Sequence, residues 1–127
     1  MGSDAPRVTG TPTRDDADME SDFIARLRTQ LGGPRDGALL RFSLGNALLG
    51  QRDAGGAVVA LRDALAFDPH YSAAWKLLGR ALAEHGDAGG AIAAFEQGVA
   101  VARARGDEQA AKEMSVFLRR LHKQAGS

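Results

Sequence analysis

The string Asp53-Ala54-Gly55-Gly56-Ala57 returns letter for letter as Asp87-Ala88-Gly89-Gly90-Ala91, 34 residues later. Aligning 38–71 with 72–105 without gaps gives identities at 11 of the 34 positions, including Leu44/Leu78, Gly45/Gly79, Ala47/Ala81 and Leu48/Leu82. Chance in so alanine-rich a pair gives roughly three or four, and self-similarity at one fixed period is the mark of a repeat architecture. The conservative pairs Val58/Ile92, Leu61/Phe95 and Leu65/Val99 extend the match.

Each unit reads as helix–turn–helix. Leu40, Leu44, Ala47 and Leu48 recur at helical spacing, with Asp36 ahead of them as a candidate cap and Gly50 as a stop. After a polar break, Ala57, Val58, Leu61, Ala64 and Leu65 form a second stripe, with Asp53 where a cap belongs. Asp87 holds the same place in the second copy. Asp68-Pro69 ends the first unit, because the residue before proline avoids helical dihedrals.

The unit resembles the tetratricopeptide repeat, a 34-residue helical hairpin with the pattern Trp-x2-Leu-Gly-x2-Tyr, then Ala, Phe, Ala and Pro. The second unit supplies Trp75, Leu78, Gly79, Leu82 in the Tyr slot, Ala91 and Phe95; it departs at Gly98 and Arg103, where Ala and Pro are usual. The first supplies Leu44, Gly45, Leu48, Ala57, Leu61, Ala64 and Pro69, and has Arg41 in the Trp slot. The expected fold is an all-α superhelix of helical hairpins with capping helices at both ends. Small residues at 45, 79, 57 and 91 belong where paired helices approach closely, and Trp75 and Phe95 are expected as packing residues.

Flanking segments complete the plan. Residues 19–31 carry Phe23, Ile24, Leu27 and Leu31 on one stripe, and 107–123 carry Ala110, Met114, Phe117, Leu118 and Leu121 behind Asp107 as cap. Residues 1–17 have Met1 and Val8 as their large apolar side chains and are read as disordered, leaving one domain over 18–124. Its parts are the repeats 38–71 and 72–105 and the solvating helix 107–123.

Composition narrows the function. Charged residues make up 25% of the 127 and cancel to a formal net charge of zero, so no overall bias favours nucleic acid. The chain has no cysteine, which removes thiol chemistry and fits a reducing, cytoplasmic setting. No apolar run reaches membrane-spanning length, so no membrane partner is expected. His70, His85 and His122 are not at metal-ligand spacing, and Ser43, Ser72 and Ser115 lack a local base signature. The double glycines lack the Lys-Ser/Thr of a phosphate loop. The reading is therefore non-enzymatic, without metal or cofactor.

Function then falls to surface. The resemblance implies that the second, fifth, ninth and twelfth residues of each unit face inward. They are Leu39, Phe42, Asn46 and Leu49, then Ala73, Lys76, Arg80 and Ala83, with Tyr71 at the rim. Their 3–4–3 spacing also puts each set on one helical face. The expectation is a groove for a peptide or helix of another protein, with an apolar strip (Leu39, Phe42, Leu49) and a polar end (Asn46, Lys76, Arg80). Two alternatives stay open there: Phe42 packed under the N-terminal helix, and Arg80 paired with a local carboxylate. Asn46 matches an amide of the family's carboxylate-clamp members. Those members also need basic residues where this chain has Phe42, Asp107 and Ala111, so the clamp is incomplete. The competing functional classes are homo-oligomeric self-association through Phe23, Leu27 or Phe117, and nucleic-acid binding by the basic last helix.

Overall fold

The computed structural model describes residues 12–126, with side chains from residue 18 onward. Six helices follow in order: α1 (Pro12–Thr29), α2 (Ala38–Gly50), α3 (Ala54–Phe67), α4 (Ser72–Glu84), α5 (Ala88–Ala104) and α6 (Glu108–Ala125). The described residues contain no strand. The fold is all-α, as the periodicity requires. Residues 1–11 of the segment read as disordered lie outside the described residues. Residues 12–17 are helical, because α1 begins at Pro12, whose fixed φ suits a first helical position.

The Asp-Ala-Gly-Gly-Ala strings are helix starts. Asp53 accepts a hydrogen bond from the Gly56 N–H at 2.9 Å, and Asp87 accepts one from Gly90 at 2.8 Å. A Cβ at Gly56 would lie 2.5 Å from the Asp53 carboxylate, so the second glycine of the string keeps room for the cap. Asp107 caps α6 in the same way, through the Ala110 N–H at 3.1 Å. Asp36 does not cap α2. Gly37 occupies that position without a side-chain cap, and Asp36 is held instead by Arg41. The turn after α2 puts Arg52 at φ 64, where the second repeat has Gly86 at φ 88.

Packing follows the hairpins. α2 lies against α3, α4 against α5, and α6 packs on α5 as α4 packs on α3. Close approach depends on Gly45 and Gly79. A Cβ there would sit 2.6 Å from the Leu61 side chain and 2.7 Å from the Phe95 ring. Leu61 and Phe95 are fully buried at the centre of each hairpin. Phe95 also stacks on Phe117 of α6, with ring centroids 5.1 Å apart. The core contains no buried polar or charged side chain among the described residues.

Arg41 replaces an aromatic with an ion network. Its guanidinium makes a two-pronged contact with Asp36 (2.9 and 2.8 Å) and a further bond to Asp63 of α3 at 2.9 Å. Trp75, its repeat counterpart, donates its indole N–H to the Pro69 carbonyl at 2.8 Å. The Arg41 hydrogen bonds, joined by the Gly32 N–H, hold the Asp36 carboxyl well below the usual carboxylate range.

The repeat period lengthens in the second unit. Pro69 stops α3 at 14 residues, but Arg103 stands in the proline position of α5, which runs for 17. Consequently α6 follows α4 by 36 residues rather than 34. Burial confirms the register. Ala74, Leu77, Leu78, Gly79, Ala81 and Leu82 are the buried residues of α4, and each position 36 later on α6 is buried or half-buried.

Candidate protein-interaction surface

α2, α4 and α6 touch in succession and form one row; α1, α3 and α5 form the other, with clefts opening between them. A closely spaced row and a splayed row make a curved stack with α2, α4 and α6 on the inside. The side chains expected to bind a partner project from this inner row.

At 100° per residue, Leu39 and Asn46 point the same way, while Phe42 and Leu49 lie about 60–80° round toward the core. Leu39 is 70% exposed and Asn46 is exposed; Phe42 is half-buried. Leu49 corrects the expectation: it is only 8% exposed and belongs to the core, because the three-residue step from Asn46 turns it about 60° away from the exposed stripe. Phe42 is half-buried against the core. Its ring sits 4.9 Å from that of Tyr71, which leads into α4. Burial, followed by the nearby Asp68 charge, raises the Tyr71 hydroxyl above its ordinary pKa.

The cations divide their roles. Lys76 reaches across to α6 and binds Glu113 at 2.6 Å. That bond, together with one from Gln109, lowers the Glu113 pKa. Lys76 is thus the paired cation, not Arg80. Arg80 is exposed and makes no hydrogen bond or ion pair with the described residues; Ala73 and Ala83 beside it are also exposed. Arg80 lines a cleft of about 230 Å³ with Ala83, Phe117 and Arg120. Asn46 lines a different one, with Glu20 and Phe23 of α1. The apolar members Leu39, Phe42 and Tyr71 therefore stand together, whereas Asn46 and Arg80 belong to separate clefts. The 36-residue step also moves the third-unit clamp slots from Asp107 and Ala111 to Gln109 and Glu113, neither of them basic.

The sequence reading missed the clefts on the outer row. The larger, about 490 Å³, lies between α3 and α5 with Trp75, Leu78 and Leu82 as its floor. Trp75 is thus half-buried at a cleft rather than enclosed. Gly90, Ala93 and Ala94 leave this space open, and that run of small residues was the available signal. A second cleft between α1 and α3 is lined by the repeat counterparts Arg41, Leu44, Leu48, Gly56 and Val59.

The family model described as tetratricopeptide repeat matches residues 48–114. The chain belongs to the tetratricopeptide repeat family. It is 49% identical over 99 residues to the TPR repeat-containing protein PA0015 of Pseudomonas aeruginosa, covering 78% of this chain and 94% of that protein. Among solved structures, protein BPP2914 of Bordetella parapertussis superposes with a TM-score of 0.70 at 46% identity, covering 80% of this chain and 88% of that one. A tetratricopeptide repeat domain protein of Salinibacter ruber shares the fold at a TM-score of 0.63 and 24% identity, covering 69% and 88%. Tetratricopeptide repeats are generally protein–protein interaction modules and typically non-enzymatic scaffolds. Among the described residues, no helix is long and apolar enough to cross a membrane.

Proposed function

We propose that this chain is a non-enzymatic interaction module that holds a peptide or helical segment of another protein along its inner row. The observation that carries this reading is Leu39, a large apolar side chain 70% exposed, one turn from the Phe42–Tyr71 pair. A contiguous exposed apolar patch rimmed by polar residues marks an interaction site, and Leu39 adjoins the Phe42–Tyr71 pair in this way. Arg80 supplies a charge without a partner among the described residues. The segment that suits this face carries a bulky apolar side chain for Leu39 and Phe42 and an acidic group for Arg80. The larger outer cleft is the weaker candidate. A cleft that recurs at the repeat spacing is what splayed helices with small side chains leave behind, whatever they bind.

The test selects peptides on the wild-type protein from a random display library and measures them on two variants. Leu39→Asp and Arg80→Glu should each weaken binding about tenfold or more, equivalent to about 1.4 kcal/mol. Val59→Asp, on the outer row, should leave it unchanged. Peptides that bind both inner-row variants at wild-type affinity would sink the reading.

A further inference from the structure

Repeat spacing shows that each end helix is half of a hairpin. Residues 20–33 match 54–67 at the 34-residue period, with Leu27/Leu61, Arg28/Arg62 and Leu31/Leu65 identical. The outer clefts obey the same relation: Arg28 and Leu31 line one where Arg62 and Leu65 line the other. Within the described residues, α1 is therefore an outer-row helix with no inner-row helix ahead of it. α6, in register with α4, is an inner-row helix with no outer-row helix after it. Ala57 and Ala91 are fully buried in their hairpins. Phe23 holds the equivalent position on α1 and is 43% exposed, with Met19 67% exposed a turn earlier.

Both end helices also overrun the hairpin turn, and on the same side. The equivalent of Gly50, where α2 stops, is Arg120, yet α6 continues to Ala125. The equivalent of Ala54, where α3 starts, is Glu20, yet α1 begins back at Pro12. These overruns have opposite charge. Residues 18–22 carry Asp18, Glu20 and Asp22 and no base; residues 119–125 carry Arg119, Arg120, His122 and Lys123 and no acid.

We propose that α6 of one chain pairs with α1 of a second copy, completing a composite hairpin head to tail. The register follows from the intact hairpins, in which Gly45 meets Leu61 and Gly79 meets Phe95. The equivalent pairing sets Ser115 beside Leu27 of the second copy; Leu27, expected from the sequence as a self-association residue, is only 8% exposed and already buried in its own chain, so the new apolar contact falls to Phe23. Continuing antiparallel, Arg119 falls opposite Phe23 of that copy and His122 opposite Glu20, with the basic overrun alongside the acidic one. Because the two surfaces differ, the contact is heterologous and propagates into a ring or an open filament rather than stopping at a dimer. An interface one helix wide belongs to the weak, concentration-dependent class. Glu20 and Phe23 share the Asn46 cleft and Arg120 the Arg80 cleft, but Leu39, Phe42 and Tyr71 are not part of this contact, so Leu39→Asp tests peptide binding separately from it.

Sedimentation velocity of the wild-type chain should give an average mass that rises past the dimer with concentration and falls as salt screens the ends. Phe23→Asp alone, and Arg119→Glu with Arg120→Glu alone, should each sediment as monomers. An equimolar mixture of the two should form a dimer and nothing larger, because each supplies the end the other lacks. The chain has no cysteine, so Glu20→Cys and His122→Cys, both exposed positions, provide a readout that leaves Phe23 intact. Mixed and oxidised, they should yield the mixed disulfide several-fold above either homodimer by intact mass. A wild-type chain that stays monomeric throughout would overturn the proposal. So would a Phe23→Asp variant that still dimerises with itself, or cross-linking with no preference for the mixed pair.

Discussion

Replacing Gly98 by alanine tests the packing at its tightest point. The position lies on α5 where α4 and α6 converge. A Cβ there would run into the Met114 sulfur and lie 2.9 Å from Cβ of Trp75. Met114 can swing aside, but the Trp75 Cβ is fixed to the α4 backbone. Alanine recovers about 0.5–1 kcal/mol of helix propensity over glycine. Overpacking a fixed contact costs about 1–3 kcal/mol, so the net effect is a loss of about 1–2 kcal/mol. At about 4–8 °C per kcal/mol for a domain of this order of size, Tm should fall by roughly 5–15 °C. Gly89→Ala is the matched control. It sits in the first turn of the same helix, exposed, with the Asp87 carboxylate 4.0 Å away as its nearest neighbour, and should raise stability by about 0.5–1 kcal/mol. Thermal unfolding followed by circular dichroism separates the two. A Gly98→Ala protein as stable as wild type would mean that α4, α5 and α6 do not meet as closely as described, and the register assigned to α6 would fall with it.

Two further substitutions probe single residues. Arg52→Gly should stabilise the chain by about 0.5–1 kcal/mol in urea unfolding, because Arg52 holds a left-handed φ of 64 that the second repeat assigns to Gly86. Asp36→Asn addresses pH. Arg41 depresses the Asp36 pKa in the folded chain, so the stability it contributes is present at neutral pH. That contribution is lost as pH falls below the ordinary aspartate value of ~3.9 toward the lower folded value. The variant should therefore have a lower urea midpoint than wild type at pH ~7, and the gap should close on acidification; a gap that widens in acid would contradict the assigned pairing.

The sequence carried the hairpins in plain view. The Asp-Ala-Gly-Gly-Ala strings are caps followed by the small residues that paired helices need, and both requirements are local. The third unit was harder to place, because its phase depends on where α5 stops. Arg103 in a proline slot signals a longer helix but not by how many residues, and that count moved the third-unit slots from Asp107 and Ala111 to Gln109 and Glu113. At the inner face, Leu39 was legible as exposed. Leu49 was not, since rotation of about 60–80° from the exposed stripe is enough to carry a leucine into the core. Which cation would pair was also beyond the sequence. Lys76 and Arg80 are one turn apart, and only the placement of Glu113 on α6 selects Lys76.

The most direct test of the central claim, that partners dock on the inner row, is backbone-amide mapping by NMR during titration with a library-selected peptide. The account predicts shifts concentrated at Leu39, Phe42, Tyr71 and Arg80, with the Trp75 indole signal in the outer cleft unmoved. Shifts centred on Trp75, Gly90 and Ala93, with the inner row silent, would contradict it.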